Sequence, residues 1–250
     1  MVFNHSHIAK ISRKFWSLSR IKFTPGADIV DAVNLLLPID MVNLPELTLS
    51  KVNQWLSERH IFTGIEADER SLHGFILTHA GSGIMFLNET DTEEERRYTV
   101  AHEASHFILD YKMPRDRAIK KLGPKITEVL DGYREPTKEE RVDGFLRSIV
   151  LAPFTHLLEK TGNGSFSYAR VYDAEINADA LAVEMLAPQA NVIKALNKRL
   201  QKTSFSDFRE RCKLLLINNY RLPASIAKEY SLRLTYIVIG PPSLLDKLGL

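Results

Sequence analysis

Apolar residues recur at helical spacing in two short stretches near the start of the chain. Ile29, Val33 and Leu36 do so within 27–37, just after Pro25, and Leu49, Val52 and Leu56 do so within 47–56. Residues three or four apart share one face of a helix, so two small helices are expected to open the fold. From Leu72 the pattern changes: Gly74-Phe75-Ile76-Leu77 and Ile84-Met85-Phe86-Leu87 flank Gly81-Ser82-Gly83, which reads as a β-hairpin. Thr92 and Glu95 then form a Thr-x-x-Glu capping box, which starts a helix by satisfying backbone N–H groups that lack an intrahelical partner. That helix is expected to run through about Leu109, with Pro114 past its end.

From Asp110 to Tyr172 the texture is mixed. Gly123-Pro124, Glu135-Pro136 and Gly162-Asn163-Gly164 mark turns between short helical stretches, an excursion packed on the main body that could act as a lid. A second long helix is expected over about 173–187, with Ile176, Ala180, Val183 and Ala187 on its apolar face, ending at Pro188. Residues 191–216 and 224–234 read as mostly helical. The expected organisation is a domain over 1–190, including the 110–172 excursion, followed by a C-terminal helical region over 191–250. The fold class is α+β: mostly helical, with a small hairpin packed on the helix that begins at the capping box.

Composition removes several function classes. With 250 residues and 44% hydrophobic content the chain can fill a substantial core. The 33 lysines and arginines nearly balance 31 aspartates and glutamates, leaving a net charge of +2, too weak a field to suggest direct nucleic-acid binding. Residues 1–19 carry Lys10, Arg13 and Lys14 but no unbroken apolar stretch like that of a signal peptide. No apolar run approaches the roughly 18 residues that span a bilayer. Cys212 is the single cysteine, so a Cys-based zinc site is excluded and a reducing compartment fits. A cytoplasmic protein is expected, and any metal must be held by His, Asp or Glu.

The chemistry concentrates in His102-Glu103-Ala104-Ser105-His106. Inside a helix the two histidines fall at i and i+4, where both imidazoles reach one ion, and Glu103 stands beside the metal to take a proton from a water that the ion has acidified. A catalytic zinc site holds three protein ligands, so a third is required. A glycine at 109 and a histidine at 112 would supply one pattern, but Leu109 and Lys112 stand there. Glu175 and Asp179, four apart on the second long helix, fit a metal ligand followed by an acid that orients a histidine. Glu139 and Asp143 share the spacing and lie nearer in sequence. Arg141 and Arg147 accompany them, however, and a cation near Zn²⁺ opposes the ion. Glu175 is therefore the assigned third ligand, with Glu139 as the alternative.

These motifs resemble those of the ImmA/IrrE-type zinc metallo-endopeptidases. Arg96-Arg97-Tyr98-Thr99-Val100-Ala101-His102-Glu103-Ala104-Ser105-His106 is similar to that family's first motif, and Glu175 to Pro188 is similar to its second. The resemblance, over roughly 25–190, implies a zincin-like fold, zinc on His102, His106 and Glu175, and Glu103 as the catalytic base. It also implies cleavage of a partner transcriptional repressor or antitoxin, often a helix-turn-helix protein, in stress or toxin–antitoxin control. The 110–172 segment is longer than is usual in the family.

Other residues carry weaker readings. A peptidase needs an electrophile for the oxyanion of its tetrahedral intermediate. Among His156, Tyr168 and Tyr172, His156 is the one carried forward. His5 and His7 form a His-x-His pair near a terminus expected to be mobile. His60, His73 and His79 have no partner at metal spacing. Residues 225–239 loosely resemble a helix-turn-helix, which gives the alternative function: a DNA-binding or interaction regulator with a structural or vestigial metal site. Ile237-Val238-Ile239 in that stretch reads as core.

Overall fold

The computed structural model describes residues 3–61, 65, 67–151, 168–197 and 204–242. Its architecture is α+β and mostly helical. A long first helix, α1 (His5–Ser19), precedes the two expected ones, α2 (Ile29–Leu36) and α3 (Leu49–Ser57). Between those two lies β1 (Ile39–Leu44), a strand that the periodicity did not indicate. The hairpin strands are β2 (Gly74–His79) and β3 (Ser82–Asn88). They pair antiparallel, Gly74 with Leu87 through His79 with Ser82, and β3 also pairs parallel with β1, Ile39 with Gly83 through Leu44 with Asn88. The sheet order is therefore β1-β3-β2.

The hairpin turn sits at Ala80-Gly81, earlier than the expected Gly81-Ser82-Gly83. Both turn residues have positive φ, 47° and 90°, as a two-residue turn that follows the strand twist requires. Side chains alternate across β2 and β3. Ile76, Met85 and Leu87 join the main core, while Phe75 and Phe86 pack with Leu47, Leu49, Val52 and Leu56 beneath α3. The sheet is thus covered on both faces.

Next comes α4 (Glu93–His106), then a π-helical turn (Phe107–Lys112) and α5 (Met113–Leu122). Pro114 does not lie past a helix end, as the sequence suggested: helical backbone runs through it and changes register just before it. The excursion continues through a short 3-10 turn (Pro124–Ile126), α6 (Thr127–Leu130) and α7 (Lys138–Leu146). Ala118, Ile126, Val129 and Leu130 form a small core of their own there.

The chain then forms α8 (Tyr168–Leu186), α9 (Gln189–Asn197), α10 (Phe205–Asn218) and α11 (Ala224–Val238). The buried face of α8 is Ala174, Ala178, Leu181, Ala182 and Met185, whereas Ile176 and Ala180 are only half-buried. The small residues let α8 lie close against α4, whose inner face carries Val100, Ala101 and Ala104. The terminus before α2 is anchored, contrary to the expected mobility. Ile8, Phe15 and Trp16 are buried, Trp16 Nε1 donates to the Met185 carbonyl at 3.0 Å, and Ser12 Oγ donates to the Glu184 carbonyl at 2.9 Å. Phe208, Cys212 and Leu216 of α10 and Ala227, Tyr230 and Leu234 of α11 share the main core.

Residues 224–238 form one uninterrupted helix, so the helix-turn-helix reading of 225–239 fails on backbone geometry. Ile237 and Ile239, expected in the core, are exposed. No helix among the described residues is long and apolar enough to cross a membrane.

Candidate metal centre

The helix bearing the histidines is fixed at its start. Thr92 Oγ1 accepts from the Glu95 N–H at 3.3 Å, and Glu95 Oε2 accepts from the Thr92 N–H at 3.1 Å, closing the expected capping box. Glu93, Glu94 and Glu95 face the positive end of the helix dipole. One turn on, the buried Arg97 guanidinium donates to the carbonyls of Ala27 (2.8 Å), Tyr220 (3.3 Å) and Arg221 (3.3 Å). It ties α4 to the turn between α10 and α11.

The second half of α4 then presents His102 and His106 to α8. The two Nε2 atoms are 3.1 Å apart, and Glu175 reaches both, with Oε2 3.3 Å from His102 Nε2 and Oε1 3.5 Å from His106 Nε2. Among the described residues these three form the group whose donor atoms all lie within 4.8 Å of one another. Glu139 and Asp143 sit exposed on α7 and take no part in that group.

The donor set suits a bound cation. Each imidazole has its Nδ1 occupied by a carboxylate, His102 by Asp179 at 2.9 Å and His106 by Asp110 at 2.9 Å. With Nδ1–H donated outward, Nε2 keeps its lone pair for a metal. Asp179 is held in turn by the Tyr98 hydroxyl at 2.8 Å. Asp110 was missed in the sequence, although the signal was present: it follows His106 by four residues, as Asp179 follows Glu175.

Electrostatics of the metal-free group follow from this packing. Burial opposes protonation of His102, but the hydrogen bonds to Asp179 and Glu175 outweigh it and carry the imidazole up to about 10. His106 is likewise opposed by burial and raised to about 9 by Asp110 and Glu175. The hydrogen bonds from His102 and His106 hold the Glu175 carboxyl well below the usual carboxylate range. Glu103 behaves in the opposite way: burial pushes its carboxyl up, against the pull of the two histidines.

Glu103 lies behind the group, under β2. A Cβ at Gly74 would stand 3.1 Å from Glu103 Cγ and Oε1 and would overlap the Thr99 γ-methyl. The strand can approach the helix here only because position 74 has no side chain. Glu103 is thus walled in on the sheet side, while the half-exposed Glu175 faces solvent.

Of the remaining residues, His156 and the side chain of Tyr168 lie outside the described residues. Tyr172 is exposed on α8, one turn before Glu175. His5 and His7 do not converge, since two residues apart on α1 they face different ways. His5 Nε2 is 3.3 Å from Glu184, and His7 packs on Phe3 with ring centroids 4.7 Å apart. His73 pairs with Asp91 at 2.9 Å, away from the site.

Residues 58–129 match the family model described as Peptidase_M78, the IrrE N-terminal-like domain. This is the metallopeptidase family that the motifs resemble. The matched span contains His102, Glu103, His106 and Asp110, and Glu175 lies beyond it. No curated protein and no solved structure matches the chain.

Proposed function

We propose that this chain, with its segment matching a peptidase family, is a zinc-dependent metallo-endopeptidase whose ion is held by His102, His106 and Glu175. The observation that carries the proposal is the spacing of the three donors. Ligands about 2.0–2.2 Å from a tetrahedral ion stand about 3.3–3.6 Å from one another; here the two Nε2 atoms are 3.1 Å apart, each has a different Glu175 carboxylate oxygen beside it, at 3.3 and 3.5 Å, and one donor atom from each residue lies within 4.8 Å of the others. Two imidazoles and one carboxylate also favour zinc over magnesium or calcium, which take oxygen donors.

A zinc ion held by His102, His106 and Glu175 would supply Lewis-acid activation of a water and of the scissile carbonyl. Glu103 takes the proton from the attacking water, because its buried carboxyl has a raised proton affinity and it is not one of the three donors. The same carboxyl then passes the proton to the departing amine. Asp179 and Asp110 keep the imidazoles oriented throughout. His156 is proposed as the group that stabilises the oxyanion.

The substrate proposed is a folded regulatory protein, a helix-turn-helix repressor or antitoxin encoded beside this chain, and the compartment proposed is the cytoplasm. Two variants test the mechanism. His102→Ala should lose the ion in metal analysis. Glu103→Gln should keep about one zinc per chain yet fail to cleave the neighbouring helix-turn-helix protein, because the change removes a base and no ligand. Cleavage by Glu103→Gln at the wild-type rate, or equal zinc in wild type and His102→Ala, would refute the proposal.

A further inference from the structure

We propose that Asp110 is a positioning residue for His106, presented by the π-helical turn so that its carboxylate holds the imidazole with Nδ1 protonated and Nε2 aimed at the point shared with His102 and Glu175. The inference rests on the metal-site reading above and assigns a role within it to a residue outside the donor group.

In an α-helix four residues turn about 40° beyond one full revolution, so a row at 102, 106 and 110 would drift about 80° around the axis. The segment from Phe107 to Lys112 is π-helical, and the Met113 N–H bonds to the Ile108 carbonyl, five residues back. A turn that closes on the fifth residue rotates less per residue, which brings position 110 back over His106. The result is the 2.9 Å contact between Asp110 Oδ2 and His106 Nδ1.

The cause of the wide turn lies in the sequence. Pro114 has no N–H to donate, and its ring would collide with the carbonyl four residues back, which belongs to Asp110. Widening the turn relieves that collision, and the same change aims the Asp110 side chain. The neighbouring cation does not compete, since Lys112 Nζ is engaged by Asp116 at 2.9 Å. Phe107 and Tyr111, both buried, with ring centroids 5.3 Å apart, hold the opposite side of the turn in the core.

The two imidazoles are therefore secured by different means. His102 depends on Asp179 of α8, and so on the packing of α8 against α4. His106 is oriented from within its own helical segment. Without a carboxylate at Nδ1, the ring can place its proton on Nε2, the nitrogen that must coordinate.

The test uses the full chain. Zn²⁺ affinity is measured by competition with a chromophoric chelator for wild type, Asp110→Ala, Asp110→Asn and the control Asp143→Asn, which alters an exposed acid on α7 outside the donor group. Asp110→Ala is expected to bind zinc about 10- to 100-fold more weakly. Asp110→Asn should fall between it and wild type, at least about 3-fold weaker, because an amide oxygen accepts the Nδ1–H without the charge. The control should stay within about twofold, as expected for an exposed side chain outside the donor group. In the zinc-loaded wild type the His106 Nδ1–H proton should give a slowly exchanging downfield NMR signal that Asp110→Ala lacks. Asp110→Asn conserves side-chain volume and carries the test if the alanine variant does not fold. Wild-type affinity in either Asp110 variant, with one zinc bound to wild type, overturns the positioning role and leaves the site reading standing. A wild type that binds no zinc overturns both.

Discussion

Metal binding at this centre must displace protons, and the structure sets how steeply affinity depends on pH. In the metal-free protein His102 and His106 are raised to about 10 and about 9. Between pH 6 and 8 the pH lies below both values, so the imidazoles must give up protons to accept the ion. Their Nε2 atoms are 3.1 Å apart, too close for both to point a proton into the same gap, so between one and two protons leave per ion. Apparent zinc affinity should therefore rise about 10- to 100-fold from pH 7 to pH 8, whereas two imidazoles at the ordinary value near 6.5 would give a rise of less than about twofold. Chelator competition at several pH values measures the slope, and calorimetry in buffers of different ionisation enthalpy counts the protons directly.

The stability of the metal-free protein has its own sign. Both folded-state values lie above the unfolded histidine value near 6.5, so the stability they contribute is full below about pH 6.5 and is lost as pH rises through 9 to 10. The metal-free protein should accordingly melt at lower temperature at pH 10 than at pH 7, and saturating zinc should largely remove that difference. A zinc affinity that changes less than twofold between pH 7 and 8 would refute the reasoning, because it would mean that the carboxylates around the imidazoles do not hold protons on them.

Three further outcomes follow from the fold. Glu175→Ala should weaken zinc binding greatly, while Glu139→Ala should leave it within about twofold, as expected when a side chain far from the donors is removed; chelator competition on both variants decides, and loss of metal in Glu139→Ala alone would overturn the choice of α8. Gly74→Ala should cost about 1–3 kcal/mol in denaturant melts by overpacking the contact with Thr99 and Glu103, and it should lower peptidase turnover more than zinc content, because it presses on the base and on no donor. Ala80→Asn should stabilise the protein by about 0.5–1 kcal/mol, since Ala80 holds a φ of 47° that asparagine adopts more readily before a glycine; an unchanged or lower melting temperature would contradict that account.

What could be read in the sequence was local. The capping box at Thr92 and Glu95, the four-residue spacing of His102 and His106, the alternation in β2 and β3 and the proline at 188 act within a few residues. Hydrogen bonding and periodicity encode such features directly, and the observed α4, hairpin and α8 follow them. The strand β1 left no comparable trace, because its partner β3 lies more than forty positions away and pairs with it in parallel. A parallel pairing takes its stability from contacts that no short window contains. For the same reason the N-terminal segment, with Lys10, Arg13 and Lys14 and no unbroken apolar stretch, gave no sign of docking on α8, where Trp16 finds the Met185 carbonyl.

The site divides along the same line. Sequence spacing brought two imidazoles to one helix face, but it offered Glu139 and Glu175 on equal spacing, and only the packing of α8 on α4 sets one of them 3.3 Å from His102. Asp110 shows the limit most plainly. Its four-residue offset from His106 was visible, yet its aim depends on a helical register that changes between Phe107 and Lys112. That register answers to Pro114, a local steric signal in the sequence, and to two buried rings, Phe107 and Tyr111, which only tertiary packing places on the other side of the turn.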